Sequence, residues 1–138
     1  MPLSTHQQAL LDDLAVIEDL QERLGAVVDR ARRRPPLPES QRIETNRVIG
    51  CQSQVWVVRA PDKDAPRFLG DSDSPLVRGL VVLTCDFFSG EDSASSEALV
   101  AGVDPIELLG LARSLSQTRR NGLLAVRARL CDLARKQG

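Results

Sequence analysis

Residues 47–59 read RVIGCQSQVWVVR, and a change of character inside this stretch decides what the chain can build. Its second half, Val55-Trp56-Val57-Val58, is dense in β-branched and aromatic side chains and predicts a strand that ends at Pro61. The polar stretch 61–66 predicts a hairpin connection, and Arg67-Phe68-Leu69-Gly70 begins the returning strand. Two antiparallel strands alone are marginal, so a third strand or covering helices must complete the layer.

Working outward, the apolar spacing becomes helical after Asp71-Ser72-Asp73-Ser74-Pro75, where Asp73 or Ser74 can cap and Pro75 suits the first helical position. The helix that follows, through Leu76, Val77, Leu80, Val81, Leu83 and Thr84 towards Phe88, is apolar nearly all round and predicts the central buried helix. Residues 89–96 predict a surface loop, and residues 96–101 a short helical segment. Asp104-Pro105-Ile106-Glu107 opens a further helix carrying Leu108, Leu109, Leu111 and Ala112. A polar turn over 114–121, with Thr118 as cap, leads to a last helix with Leu123, Val126, Leu130 and Leu133 on one side. Upstream, apolar residues at helical spacing predict one first helix over 8–31, stopped by Pro35, Pro36 and Pro38. The run Arg30, Arg32, Arg33, Arg34 suits the negative end of that helix, and residues 35–46 read as an extended polar loop.

With 138 residues, 42% apolar and 27% charged, the chain fits one globular domain over 1–138. Eighteen basic residues against 19 acidic ones give a net charge of −1 and no nucleic-acid footprint. No apolar run approaches the ~20 residues of a membrane span, and the N-terminus lacks a basic segment leading into an apolar one. A reducing cytoplasm is the expected location. Cys51, Cys85 and Cys131 are odd in number, far apart and outside any CxxC spacing, which argues against a disulfide framework or a zinc site. A single histidine, His6, and no tyrosine count against Ser-His-Asp and Cys-His enzymes.

Cys85 and Cys131 sit among apolar residues and read as small buried hydrophobes. Cys51 differs, because Gly50 precedes it and polar Gln52 and Ser53 follow. A Gly-Cys pair there is either a structural turn with an inert thiol or a bend that carries a reactive one. A free thiol near pKa ~8.5 is mostly protonated at neutral pH, so a reactive Cys51 needs cations nearby. Arg47 is close in sequence, and Arg119 is a second source of positive charge. A guanidinium holds a thiolate or an anionic persulfide but cannot act as a base, which suits sulfur transfer better than hydrolysis.

Three co-linear blocks, Arg47 to Trp56, Gly70-Asp71-Ser72-Asp73 with Arg78-Gly79-Leu80, and Arg119-Arg120-Asn121-Gly122-Leu123, resemble the SufE family. These proteins are sulfur acceptors that partner a pyridoxal-phosphate cysteine desulfurase in iron–sulfur cluster assembly. The similarity runs from about residue 19 to the C-terminus and includes Pro35-Pro36-Leu37-Pro38-Glu39. It implies that Cys51 accepts the persulfide sulfur, with Asp73 and Arg119 among the polar groups near it. It also implies an α+β fold, a small curled antiparallel sheet of about three strands packed against α-helices, with the cysteine on a loop at its edge. No cofactor of its own is implied, since the pyridoxal phosphate belongs to the partner. A monomer that docks on a SufS-like desulfurase and serves a downstream scaffold is expected. Ile49 and Gln117 stand where the family commonly has proline, and Leu20, Leu24 and Ala26 where aromatic residues are common. Other readings are a non-catalytic adaptor that regulates a desulfurase, an iron–sulfur scaffold in which all three cysteines converge, and a SufE-like relay serving another sulfur pathway.

Overall fold

A computed structural model describes residues 3–60, 68–89, 98–99 and 101–135. The elements in chain order are α1 (Thr5–Ala15), α2 (Leu20–Arg32), a 3-10 turn (Glu44–Asn46), β1 (Val55–Arg59), β2 (Phe68–Ser72), α3 (Pro75–Phe87), α4 (Pro105–Leu108), a 3-10 turn (Leu111–Ser114) and α5 (Gln117–Arg135). The architecture is α+β, as expected, with a small antiparallel sheet against helices.

β1 and β2 pair from Val55 opposite Ser72 to Arg59 opposite Phe68. Among the described residues the sheet has two strands, and the third contribution is an isolated bridge between Arg47 and Trp56. Side chains alternate as strand geometry requires: Val55 and Val57 enter the main core, while Trp56 and Val58 meet Leu37 on the other face. Residues 35–46, expected as an extended polar loop, therefore contribute a buried side chain, and the Leu37 amide donates to Asp71 Oδ2 at 2.9 Å. The predicted connection at 61–66 and most of the 89–101 region lie outside the described residues, although Ala98 and Leu99 are helical and buried.

The central helix forms where Ser74 caps it, accepting from the Val77 amide, with Pro75 at its start. Every residue from Gly79 to Phe87 is buried. Two glycines allow its neighbours to approach. A Cβ on Gly70 of β2 would fall 2.5 Å from Val81 Cγ1, and one on Gly79 would fall 3.0 Å from Val28 Cα of α2.

The first helix is two helices rather than one. Asp19 caps α2 by accepting from the Glu22 amide at 2.9 Å, and Arg23 reaches the carbonyls of Ala15, Ile17 and Leu109 at 3.2, 2.9 and 2.6 Å. The bonds to Ala15 and Ile17 satisfy carbonyls that the break leaves open, so the apolar periodicity continues across a chain that turns. The basic run ends α2 as expected and does more: Arg30 and Arg34 bind the buried carboxylate of Asp86 at 2.6 and 2.7 Å.

Downstream, Asp104 caps α4, but Gly110, with φ of 72°, ends that helix after one turn and the chain continues as a 3-10 turn. The expected polar turn at 114–121 is largely helical. Ser116, not Thr118, caps its start by accepting from the Arg119 amide at 3.2 Å, which places Arg119 and Gly122 on the first turns of α5.

Candidate functional site

The loop carrying Cys51 is closed at its base on both sides. The Val48 amide donates to the Val55 carbonyl at 2.8 Å, and the Gln54 amide donates to Asp73 Oδ1 at 3.0 Å. Between these anchors Gly50 has φ of 109°, a left-handed conformation that glycine adopts without strain, and its Cα faces Ala125 of α5. The turn aims the next side chain at the helix: the Cys51 thiol donates to the Gly122 carbonyl at 3.4 Å.

Beside the sulfur lies a cavity of about 270 Å³. Val77, Leu80 and Val81 of α3 and Leu123 and Val126 of α5 form its apolar wall, while Gln52, Ser53, Ser116 and Arg119 supply polar groups. Burial raises the Cys51 thiol above its ordinary pKa, and the positive charge of Arg47 opposes that rise. Arg47 itself sits 3.6 Å from Glu44.

The residues singled out in the sequence divide accordingly. Cys51 and Arg119 line the same cavity. Asp73 does not line it; this exposed carboxylate braces the loop through Gln54. Cys85 is 1% exposed behind Gly70, and burial together with the neighbouring Asp86 holds its thiol protonated. Cys131 is partly buried against the core. His6, the single histidine, contacts the Asp86 carbonyl at 2.8 Å through Nε2. In the sequence Gly122 stands only as part of the third SufE-like block, with no role of its own. A glycine inside a helix costs about 1 kcal/mol relative to alanine, and that cost was the available signal once 117–122 is known to be helical.

Among the described residues no group of three or more His, Cys, Asp or Glu side chains is placed to hold a metal ion. No described helix is long and apolar enough to cross a membrane.

The family model described as "SufE: Fe-S metabolism associated domain" matches residues 8–134. The chain belongs to the SufE family. An uncharacterized SufE-like protein of Rhizobium etli is 33% identical over 133 residues, covering 91% of this chain and 87% of that protein. Another from Rhizobium meliloti is 35% identical over 130 residues, covering 91% and 92%. A chloroplastic quinolinate synthase of Oryza sativa subsp. japonica is 35% identical over 147 residues, a match spanning 99% of this chain and 20% of that protein. Membership associates the chain with iron–sulfur metabolism. Within this SufE domain the cysteine loop combines a sheltered sulfur with an exposed flank, since Ile49 is 75% exposed two residues before Cys51.

Proposed function

We propose that this SufE protein accepts sulfur on Cys51 from a pyridoxal-phosphate cysteine desulfurase, stimulates that enzyme, and passes the sulfur to an iron–sulfur assembly scaffold. The observation that carries the reading is the placement of Cys51 at the apex of a glycine-hinged loop, beside a cavity that Arg119 also lines. A half-buried thiol whose hydrogen bond goes to a backbone carbonyl, with no basic side chain bonded to it among the described residues, is a poor hydrolase nucleophile. Sulfur exchange asks only for a thiolate and an electrophilic sulfur.

In the transfer, the Cys51 thiolate attacks the outer sulfur of the donor's persulfide. A new S–S bond forms on Cys51 as the donor's S–S bond breaks, and the donor cysteine leaves as a thiolate. The transferred sulfur keeps its proton, and no net oxidation or reduction occurs. Arg119 and Arg47 hold the negative charge that appears on each side of the step. The wall formed by α3 and α5 shelters the resting thiol from water. The pyridoxal phosphate stays with the partner, and this chain works as a single domain, monomeric when free, in the cytoplasm.

The test is desulfurase turnover with cysteine as substrate, in the presence of the wild-type protein or Cys51→Ser. Wild type raises turnover and Cys51→Ser does not. Equal stimulation by both proteins contradicts sulfur acceptance and leaves the adaptor reading in its place.

A further inference from the structure

We infer that Gly122 is a positioning residue for Cys51: its bare Cα makes the room, and its carbonyl the acceptor, for a seat that holds the cysteine only while the sulfur carries a proton. The purpose of the seat rests on the sulfur-acceptor reading, whereas its existence rests on geometry alone.

Three observations meet at this residue. Gly122 is buried within a 19-residue helix, where glycine is an unfavourable choice. A Cβ at this position would fall 3.2 Å from Cys51 Sγ, closer than ordinary contact, and 3.7 Å from both its Cα and its Cβ, so a side chain here presses the thiol away by a few tenths of an ångström. The Gly122 carbonyl accepts from that thiol at 3.4 Å, using a lone pair that helix geometry leaves available.

The bond depends on the state of the sulfur. A thiol donates its hydrogen, whereas a thiolate turns a lone pair towards a carbonyl oxygen that is itself partly negative. A sulfur already bonded to a second sulfur has no hydrogen to give. Arg47 on the loop acts in the same sense, because it lowers the thiol pKa and so favours the ionised sulfur that no longer donates. Arg119 on α5 is the charged group lining the cavity itself. From α3 the cavity receives only Val77, Leu80 and Val81, and the Asp73 carboxylate is engaged by Gln54 outside it. An empty, protonated Cys51 is therefore retained, and an ionised or loaded one is released.

The test uses the free protein, without a desulfurase. Iodoacetamide alkylation of Cys51 is followed by peptide mass analysis from neutral to alkaline pH in wild type, Gly122→Ala and Gly25→Ala. An added Cβ at Gly25, also helical, meets nothing within 4 Å. Gly122→Ala is expected to alkylate about two- to tenfold faster at neutral pH, the factor for one lost neutral hydrogen bond, with the profile shifted to lower pH. Gly25→Ala keeps the wild-type profile. An unchanged profile in Gly122→Ala, or an equal gain in Gly25→Ala, overturns the seat. Hydrogen exchange in the peptide spanning residues 48–54 tests the wild type directly. Its protection, corrected for intrinsic exchange, is expected to fall as pH rises through the thiol titration, and to show no such step in Cys51→Ala. Protection that stays constant in wild type overturns the inference. A seat that passes both tests beside a protein that accepts no sulfur faults the functional reading alone.

Discussion

Asp73 and Gln54 are bonded to each other twice: the Gln54 amide donates to Asp73 Oδ1 at 3.0 Å, and the Asp73 amide donates to the Gln54 carbonyl at 3.2 Å. The pair ties the downstream end of the cysteine loop to the turn that launches α3, so an exposed carboxylate outside the cavity governs how firmly Cys51 is held. Asp73→Ala removes one hydrogen bond at the surface and is expected to cost about 1 kcal/mol in urea denaturation. Its larger effect is local, with faster hydrogen exchange in residues 51–54 and faster alkylation of Cys51. Wild-type exchange there would show that the loop does not depend on this brace.

Arg119 lines the cavity while its side chain stays exposed, so its removal separates chemistry from stability. Arg119→Ala is expected to slow sulfur transfer from a desulfurase about tenfold, the worth of one charge-assisted contact, with the melting temperature unchanged. A matched loss of rate and melting temperature would point to a structural role instead.

The Cys51 thiol is raised by burial and lowered by Arg47, and both directions are measurable. Alkylation of the wild-type protein should reach half its maximal rate above the ordinary thiol range near pH ~8.5. Arg47→Gln removes the opposing charge and moves the midpoint higher still. Because the protonated form is the one favoured in the folded state, this group's contribution to stability is complete below the ordinary thiol pKa. It is lost as pH rises through the raised one. A midpoint that falls in Arg47→Gln would contradict the assignment.

Gly79 is where α2 and α3 touch backbone to backbone, with Val28 Cα and the Val27 carbonyl 3.0 and 3.3 Å from the position of an added Cβ. Backbone atoms cannot swing aside, so the strain outweighs the helix propensity that alanine brings. Gly79→Ala is expected to destabilise the fold by about 1–3 kcal/mol in chemical denaturation. A stabilised variant would show that the two helices separate at little cost.

The parts of the fold that local chemistry controls were legible in the sequence. Ser74-Pro75 and Asp104-Pro105 start helices because a side-chain oxygen and a proline act within a few residues, and Val55 to Val58 form a strand because β-branched and aromatic side chains suit the pleated backbone. Tertiary bonds hid the rest. The break between α1 and α2 is stabilised by Arg23 reaching Leu109, 86 positions away, and no periodicity carries that information. Leu37 lies between prolines in a stretch that reads as an extended polar loop, yet it covers the outer face of the sheet beside Trp56. At the site, the glycine before Cys51 marked the loop, and Arg119 shares its cavity. The bracing role of Asp73 and the seat at Gly122 depend on distances across the fold. A polar turn expected over 114–121 hides the most informative feature of Gly122, that it is a glycine inside a helix.

The most direct measurement is the mass of the protein after incubation with a cysteine desulfurase and cysteine, without reductant, followed by peptide mapping before and after a thiol reductant. The account predicts a reductant-sensitive gain of one or more sulfur atoms confined to the peptide that contains Cys51, with Cys85 and Cys131 unmodified. Added sulfur on another cysteine, or none while desulfurase turnover still changes, would contradict the claim that Cys51 is the acceptor.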